Sequence, residues 1–229
     1  MSKYILTFEK SGYIRYTSHL DMVRLFQRAI RRSGIILAYS QGFNPHPKMS
    51  FALPLSLGYT GKKELLEIET REEYSLHDLK NRLNEVLPGG IQIVDAEIFS
   101  AGKTAASSVH SAEYLIEVPL SASMAEKAAS QRDSFWRQDS IFAKKTQKKS
   151  GKTIEIDIRK LIKKFDIAIV DNKIIMKTYI AQGSRETLSP ELLLSAFFHF
   201  VDIPFDRSET EITRCEIFYR ESEKGSETL

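Results

Sequence analysis

The chain has a single cysteine, Cys215, and a single tryptophan, Trp136. One thiol closes no internal disulfide, holds no four-cysteine iron-sulfur cluster and builds no multi-thiolate zinc site. No run reaches the roughly 18 consecutive apolar residues needed to span a bilayer. The opening Met1-Ser-Lys-Tyr-Ile-Leu leads into alternating sequence rather than a signal-peptide core, so a cytoplasmic chain without membrane contact is expected. Phosphate-binding loops are missing too. Gly58-Tyr-Thr-Gly-Lys62 lacks the spacing of a nucleotide-binding loop, and no G-x-G-x-x-G occurs. No G-x-S-x-G marks a nucleophilic serine.

What remains is ordinary globular composition: 229 residues, 42% hydrophobic and 28% charged. At about 100 to 200 residues per domain, this length predicts two domains. The net charge is only +3, but it is unevenly spread. Between Lys144 and Lys164, nine basic residues face two acidic ones.

Hydrophobic periodicity sets out the elements. Tyr4, Leu6 and Phe8 alternate with Ile5, Thr7 and Glu9, the period of a strand. A second extended piece is expected at 13–16. Ser18 caps a helix over 19–33, with Met22, Val23, Leu25, Phe26, Ala29 and Ile30 on its broad apolar face and Arg24, Arg28, Arg31 and Arg32 opposite. Gly34 ends it. A stiff loop through Pro45 and Pro47 follows, then alternation over 49–57, a turn, a returning strand at 64–69, a helix from Ser75 and a strand at 91–99. Small polar residues at 101–111 read as a linker.

The second half repeats the plan: strand 113–119, helix 124–132, strands 141–146 and 153–158, a hairpin across Asp171-Asn172, a helix opened by Ser189-Pro190, and a closing strand. The βαββαβ order predicts an α+β fold of two tandem ferredoxin-like halves with antiparallel sheets, 1–100 and 112–229, the second carrying an extra hairpin. That fold names no function.

Candidate chemistry gathers in two stretches, Thr17-Ser-His-Leu-Asp21 and Ser40-Gln-Gly-Phe-Asn-Pro-His-Pro-Lys48. His19 lies in a first helical turn, where it can exchange a proton or face a phosphate. His46 stands in a loop stiffened by two prolines. Ser18, His19, Asp21, Gln41, Asn44, His46 and Lys48 are expected to form one contact pocket, provided the loop and the helix start converge. Their spacing matches no local metal motif, so no metal site is expected. Arg24, Arg28, Arg31, Arg32 and the lysines Lys144, Lys145, Lys148, Lys149 and Lys152 have the charge pattern of a nucleic-acid footprint, with Tyr39, Phe43 and Tyr59 available to stack on bases. Arg185 precedes a helix start and is a weaker anion candidate. His199 lies on an apolar run and is expected in the core or at an interface.

These residues carry a resemblance. Arg15-Tyr-Thr-Ser-His-Leu-Asp21, Arg24-Leu-Phe-Gln-Arg-Ala-Ile-Arg-Arg-Ser-Gly34 and Tyr39-Ser-Gln-Gly-Phe-Asn-Pro-His-Pro-Lys-Met-Ser-Phe-Ala-Leu-Pro-Leu55 resemble the bacterial radical SAM-linked proteins. Lys149-Ser-Gly-Lys-Thr-Ile-Glu-Ile-Asp157 and Ile212-Thr-Arg-Cys-Glu-Ile-Phe-Tyr219 fit more loosely. The resemblance implies an accessory protein working with a separate radical SAM enzyme, and the charge pattern adds the expectation that it binds an RNA or ribonucleoprotein substrate. The iron-sulfur cluster and S-adenosylmethionine would sit on that partner, and none on this chain. Two alternatives stand beside it: a metal-independent endoribonuclease using His19, with His46 the other catalytic candidate, and a pure protein-interaction module.

Overall fold

The computed structural model describes residues 2–99, 104–147, 151–183 and 186–219. The chain divides into two compact units, Met1–His110 with Arg214–Leu229, and Ser111–Thr213. The first unit therefore includes residues 214–219 as well as the beginning of the chain, which the contiguous halves read from the sequence did not include.

In the first unit, β1 (Ser2–Lys10) lies between β3 (Thr60–Thr70) and β4 (Ile91–Ile98), antiparallel to both, and β2 (Met49–Phe51) pairs antiparallel with β3. Tyr4, Leu6 and Phe8 point to one face of this sheet. There they pack with Met22, Phe26 and Ile30 of α1 (His19–Arg32) and Leu79 and Leu83 of α2 (Leu76–Asn84). Ile5 faces the other side and is buried with Leu65, Val109 and Ile217. The first strand is thus covered on both faces. Phe26 meets Phe8 and Phe51 edge to face, with centroids 5.0 and 5.5 Å apart.

Helix α1 forms where its signals place it. The Ser18 hydroxyl accepts from the Asp21 N–H, and Gly34 takes φ +76° just beyond the end. Ser75 caps α2 in the same way.

Three expectations in this unit are corrected. The stretch Gly12–Tyr16 is a 3-10 turn rather than a strand. Alternation over 49–57 yields a strand only to Phe51, because the carbonyls of Leu53 and Pro54 are taken by the Arg214 guanidinium instead of a neighbouring strand. The expected linker is not a free connection where it is described. Thr104 caps a helical turn, α3 (Ala105–Ser108), whose buried Ala105 donates its N–H to Glu67 at 2.7 Å.

In the second unit, β9 (Lys173–Ala181) pairs antiparallel with both β5 (Val109–Pro119) and β8 (Ile162–Val170). The extra hairpin forms from β6 (Phe142–Thr146) and β7 (Thr153–Asp157). The Asp171-Asn172 turn closes β8 onto β9 with Asp171 at φ +51°, a conformation aspartate tolerates better than most residues. The expected helix at 124–132 is two: α4 (Ala122–Ser130) and α5 (Arg132–Trp136). Phe135, Phe165 and Phe197 form the aromatic centre, with centroids 5.1 to 5.3 Å apart. Ser189 and Pro190 open α6 (Pro190–Val201), which ends on Asp202 in the left-handed conformation. His199 is exposed, not in the core, because the buried face of α6 is carried by Leu193, Leu194, Phe197 and Phe198. The final strand, β10, runs Glu211–Tyr219.

Candidate functional site

The start of α1 overlooks a small cleft in the first unit, lined by Phe8, Lys10, His19, Met22, Phe51, Leu53, Leu55 and Glu64. It offers about 20 Å³ of room, the space of a single water molecule. His19 sits at its edge, exposed, with its ring edge-on to Phe51 at 5.5 Å.

Three charged residues are buried at and behind this cleft: Lys10, Glu64 and Arg214, each 2% exposed. Arg214 grips the Glu64 carboxylate as a fork, through Nε at 2.8 Å and through Nη2. Its remaining donors reach the carbonyls of Leu53 at 2.7 Å and Pro54 at 3.4 Å. Lys10 Nζ donates to the Thr17 carbonyl at 3.1 Å, just ahead of the α1 cap. Burial pushes the Lys10 ammonium below its usual range; Glu64 opposes that shift and Arg214 adds to it. A Cβ at Gly61, paired with Lys10 across the strands, would lie 2.5 Å from Glu64 Cγ, so the bare glycine is what lets Glu64 occupy its place.

A scan of family models matches residues 3–190 to a set of uncharacterised proteins conserved in bacteria, DUF2344. The chain belongs to this family.

No curated protein sequence matches the DUF2344 chain. Among solved structures, that of a Cbf5-Nop10-Gar1 complex superposes with a TM-score of 0.53 at 8% identity, over 96% of this chain and 50% of the other. This chain thus spans half the length of the one it matches, and the likeness is one of α+β fold. An unknown protein from Galdieria sulphuraria matches over 96% of this chain and 98% of its own at 12% identity, but its TM-score of 0.27 carries no argument.

The sequence-derived residues of the DUF2344 chain fall into separate groups. Ser18 and Asp21 bond to each other and Asp21 bridges to Arg24 at 3.2 Å, all of them exposed. The Ser18 hydroxyl foremost, and then Arg24, hold the Asp21 carboxyl below its ordinary range. This carboxylate completes the helix cap.

The proline loop is anchored elsewhere on β3. Ala38 donates to the Glu69 carbonyl at 2.8 Å, Glu69 to Lys48 at 3.0 Å, and the Lys48 ammonium is paired with the Glu69 carboxylate at 2.9 Å. Ser40 and His46 are tied twice, N–H to carbonyl and N–H to hydroxyl, both at 2.9 Å. Gln41, Asn44 and His46 are exposed. Glu69 is five residues along β3 from Glu64, roughly 16 Å at the rise of a strand. None of the described hydrogen bonds, ion pairs or ring contacts joins His19 to His46, and Lys48 is engaged with Glu69 rather than with the helix start.

Arg28, Arg31 and Arg32 are exposed along α1 and, among the described ion pairs, have no carboxylate partner. Lys144, Lys145 and Lys152 are exposed on and beside the β6–β7 hairpin, while Lys148, Lys149 and Arg185 lie outside the described residues. Of the aromatics proposed to stack, Phe43 is fully exposed at the loop tip and Tyr39 is partly so, but Tyr59 is buried. Two exposed tyrosines were missed, Tyr13 and Tyr16, in the turn just before α1, where the Arg15 guanidinium lies 5.0 Å from the Tyr16 ring. Also missed were Lys10, Glu64 and Arg214. A signal existed for the first. Lys10 continues the sequence alternation of Tyr4, Leu6 and Phe8, placing a charge in an apolar pattern.

Among the described residues, no helix is long and apolar enough to cross a membrane, and no three His, Cys, Asp or Glu side chains gather as a metal site requires.

Proposed function

We propose that this DUF2344 chain is a cytoplasmic accessory protein that presents an RNA or ribonucleoprotein to a separate radical SAM enzyme, the partner carrying the iron-sulfur cluster and S-adenosylmethionine. The observation that carries the RNA part is the outer face of α1. Arg28, Arg31 and Arg32 stand in water without described carboxylate partners, in the last half of a helix whose start follows a turn that exposes Tyr13 and Tyr16. Guanidinium groups so placed can neutralise phosphates and release counterions, and exposed rings can stack on unpaired bases. Lys144, Lys145 and Lys152 are a second set of phosphate contacts in this reading. The radical SAM partner rests on the sequence resemblance.

The tandem ferredoxin-like layout belongs to the same proposal. It is supported in the first unit by the βαββαβ order and the all-antiparallel pairing of β4 with β1, β1 with β3 and β3 with β2. The endoribonuclease alternative needs His19 to be oriented by a second polar group, and its described contact is the edge of Phe51.

Ultraviolet crosslinking of the purified chain to a mixed single-stranded RNA pool, followed by peptide mapping, tests the reading. Crosslinks on peptides bearing Tyr13, Tyr16 or Phe43, declining as salt rises, are expected. Crosslinks scattered over the surface, or none, would overturn RNA contact. Co-expression with a radical SAM protein encoded beside it tests the partner, and failure of the two to co-purify counts against it.

A further inference from the structure

The buried charges at the cleft do not balance. Glu64 is matched by Arg214, whose other donors are spent on the Leu53 and Pro54 carbonyls. Lys10 then stands as a surplus cation, 2% exposed, and no described ion pair joins it to a carboxylate. An ammonium carries three N–H donors. One is satisfied by Thr17; of the cleft's other lining residues, Glu64 is already gripped by Arg214 and His19 stands at the mouth, while Phe8, Met22, Phe51, Leu53 and Leu55 are apolar. A buried charge that must share one counter-ion with a second cation is costly. The remedy that the geometry allows is an anion from outside, entering past His19 and the start of α1, where the positive end of the helix dipole favours negative charge. Asp21 does not supply it, being held by Ser18 and Arg24 on the exposed side.

We infer that this cleft is a site for a terminal oxyanion, a carboxylate or phosphate group, one oxygen of which enters to meet the Lys10 ammonium while the rest of the ligand lies at the mouth beside His19. The room of about 20 Å³ fits one such atom and no more. The site is independent of the RNA reading, since a small anion would bind here whether or not the arginine face of α1 takes phosphates.

The test titrates inorganic phosphate and acetate, separately and at ionic strength held constant with chloride, against the full chain. Unfolding temperature and acylation of Lys10 by an amine-reactive ester, read by peptide mass spectrometry, are followed together. At least one anion is expected to raise the unfolding temperature and slow acylation of Lys10, leaving that of exposed Lys62 unchanged. A stronger response to acetate assigns the carboxylate class, and a stronger response to phosphate the phosphate class. Lys10→Met should weaken the effective anion about tenfold or more, the worth of one hydrogen bond to a charged group. Arg28→Ala should leave it unaltered. The inference is overturned if neither anion acts, if Lys10→Met responds like the wild type, or if Lys10 is acylated equally fast with and without anion. Should Lys10→Met fail to fold, the acylation rates on the wild type decide.

Discussion

The first unit holds two sets of positive charge under opposite conditions. Arg28, Arg31 and Arg32 line the outer face of α1 and keep their hydration, whereas Lys10 and Arg214 have been taken out of water and answer to one carboxylate, Glu64. Hydrated charges add little to the stability of the fold and are available to a partner. Buried ones are bound into the fold so tightly that losing one member strands the others. The same kind of charge is therefore open to solvent in one place and part of the architecture in the other. At the cleft, Lys10 and Arg214 share the one Glu64 carboxylate.

The largest effect that separates the two sets is expected from Glu64→Gln. It leaves Arg214 and Lys10 as two buried cations without an anion, at about 3–5 kcal/mol measured by urea unfolding. A loss near zero would mean that the buried set behaves like the surface one. Gly61→Ala should follow at about 1–3 kcal/mol, because the new Cβ drives into a Glu64 side chain pinned by Arg214 and unable to move aside.

A pH titration sharpens the contrast further. The folded state holds the Lys10 proton less tightly than the unfolded chain does, so between the lowered folded value and 10.5 the unfolded state binds more protons. The contribution of Lys10 to stability is therefore complete above 10.5 and lost as pH falls through the folded value. The stability difference between wild type and Lys10→Met should rise with pH across that window, and a falling difference would contradict the burial argument. At the small end, Arg28→Ala, Arg31→Ala and Arg32→Ala should each change stability by less than about 0.5 kcal/mol.

Local signals were readable where their physics is local. Ser18, Ser75 and Ser189 each cap the helix expected of them, Gly34 ends α1, and both hairpins of the second unit form where turn residues separate periodic runs. Period alone misleads where a distant group intervenes. The run from Met49 to Leu57 alternates throughout, yet its strand stops at Phe51 because Arg214, 160 positions from Pro54, claims the carbonyls beyond. The shared pocket of His19 and His46 depended on two separated pieces meeting, and spacing along a chain holds no information about that. The loop is tied to Glu69 through hydrogen bonds to a strand that sequence could not assign to it. The buried trio illustrates the same limit, since Lys10 was visible as a charge in an apolar pattern but its neighbours Glu64 and Arg214 lie 150 residues from each other.

The central claim, that the outer face of α1 takes the phosphates of RNA, is tested most directly by the salt dependence of binding. A single-stranded RNA is titrated into the wild type and into the Arg28→Ala/Arg31→Ala/Arg32→Ala variant at several salt concentrations. The account predicts affinity that declines as salt rises, with the logarithmic slope shallower in the variant by about 0.7 for each phosphate contact removed. Equal slopes in the two proteins, or RNA affinity indifferent to salt, would contradict it.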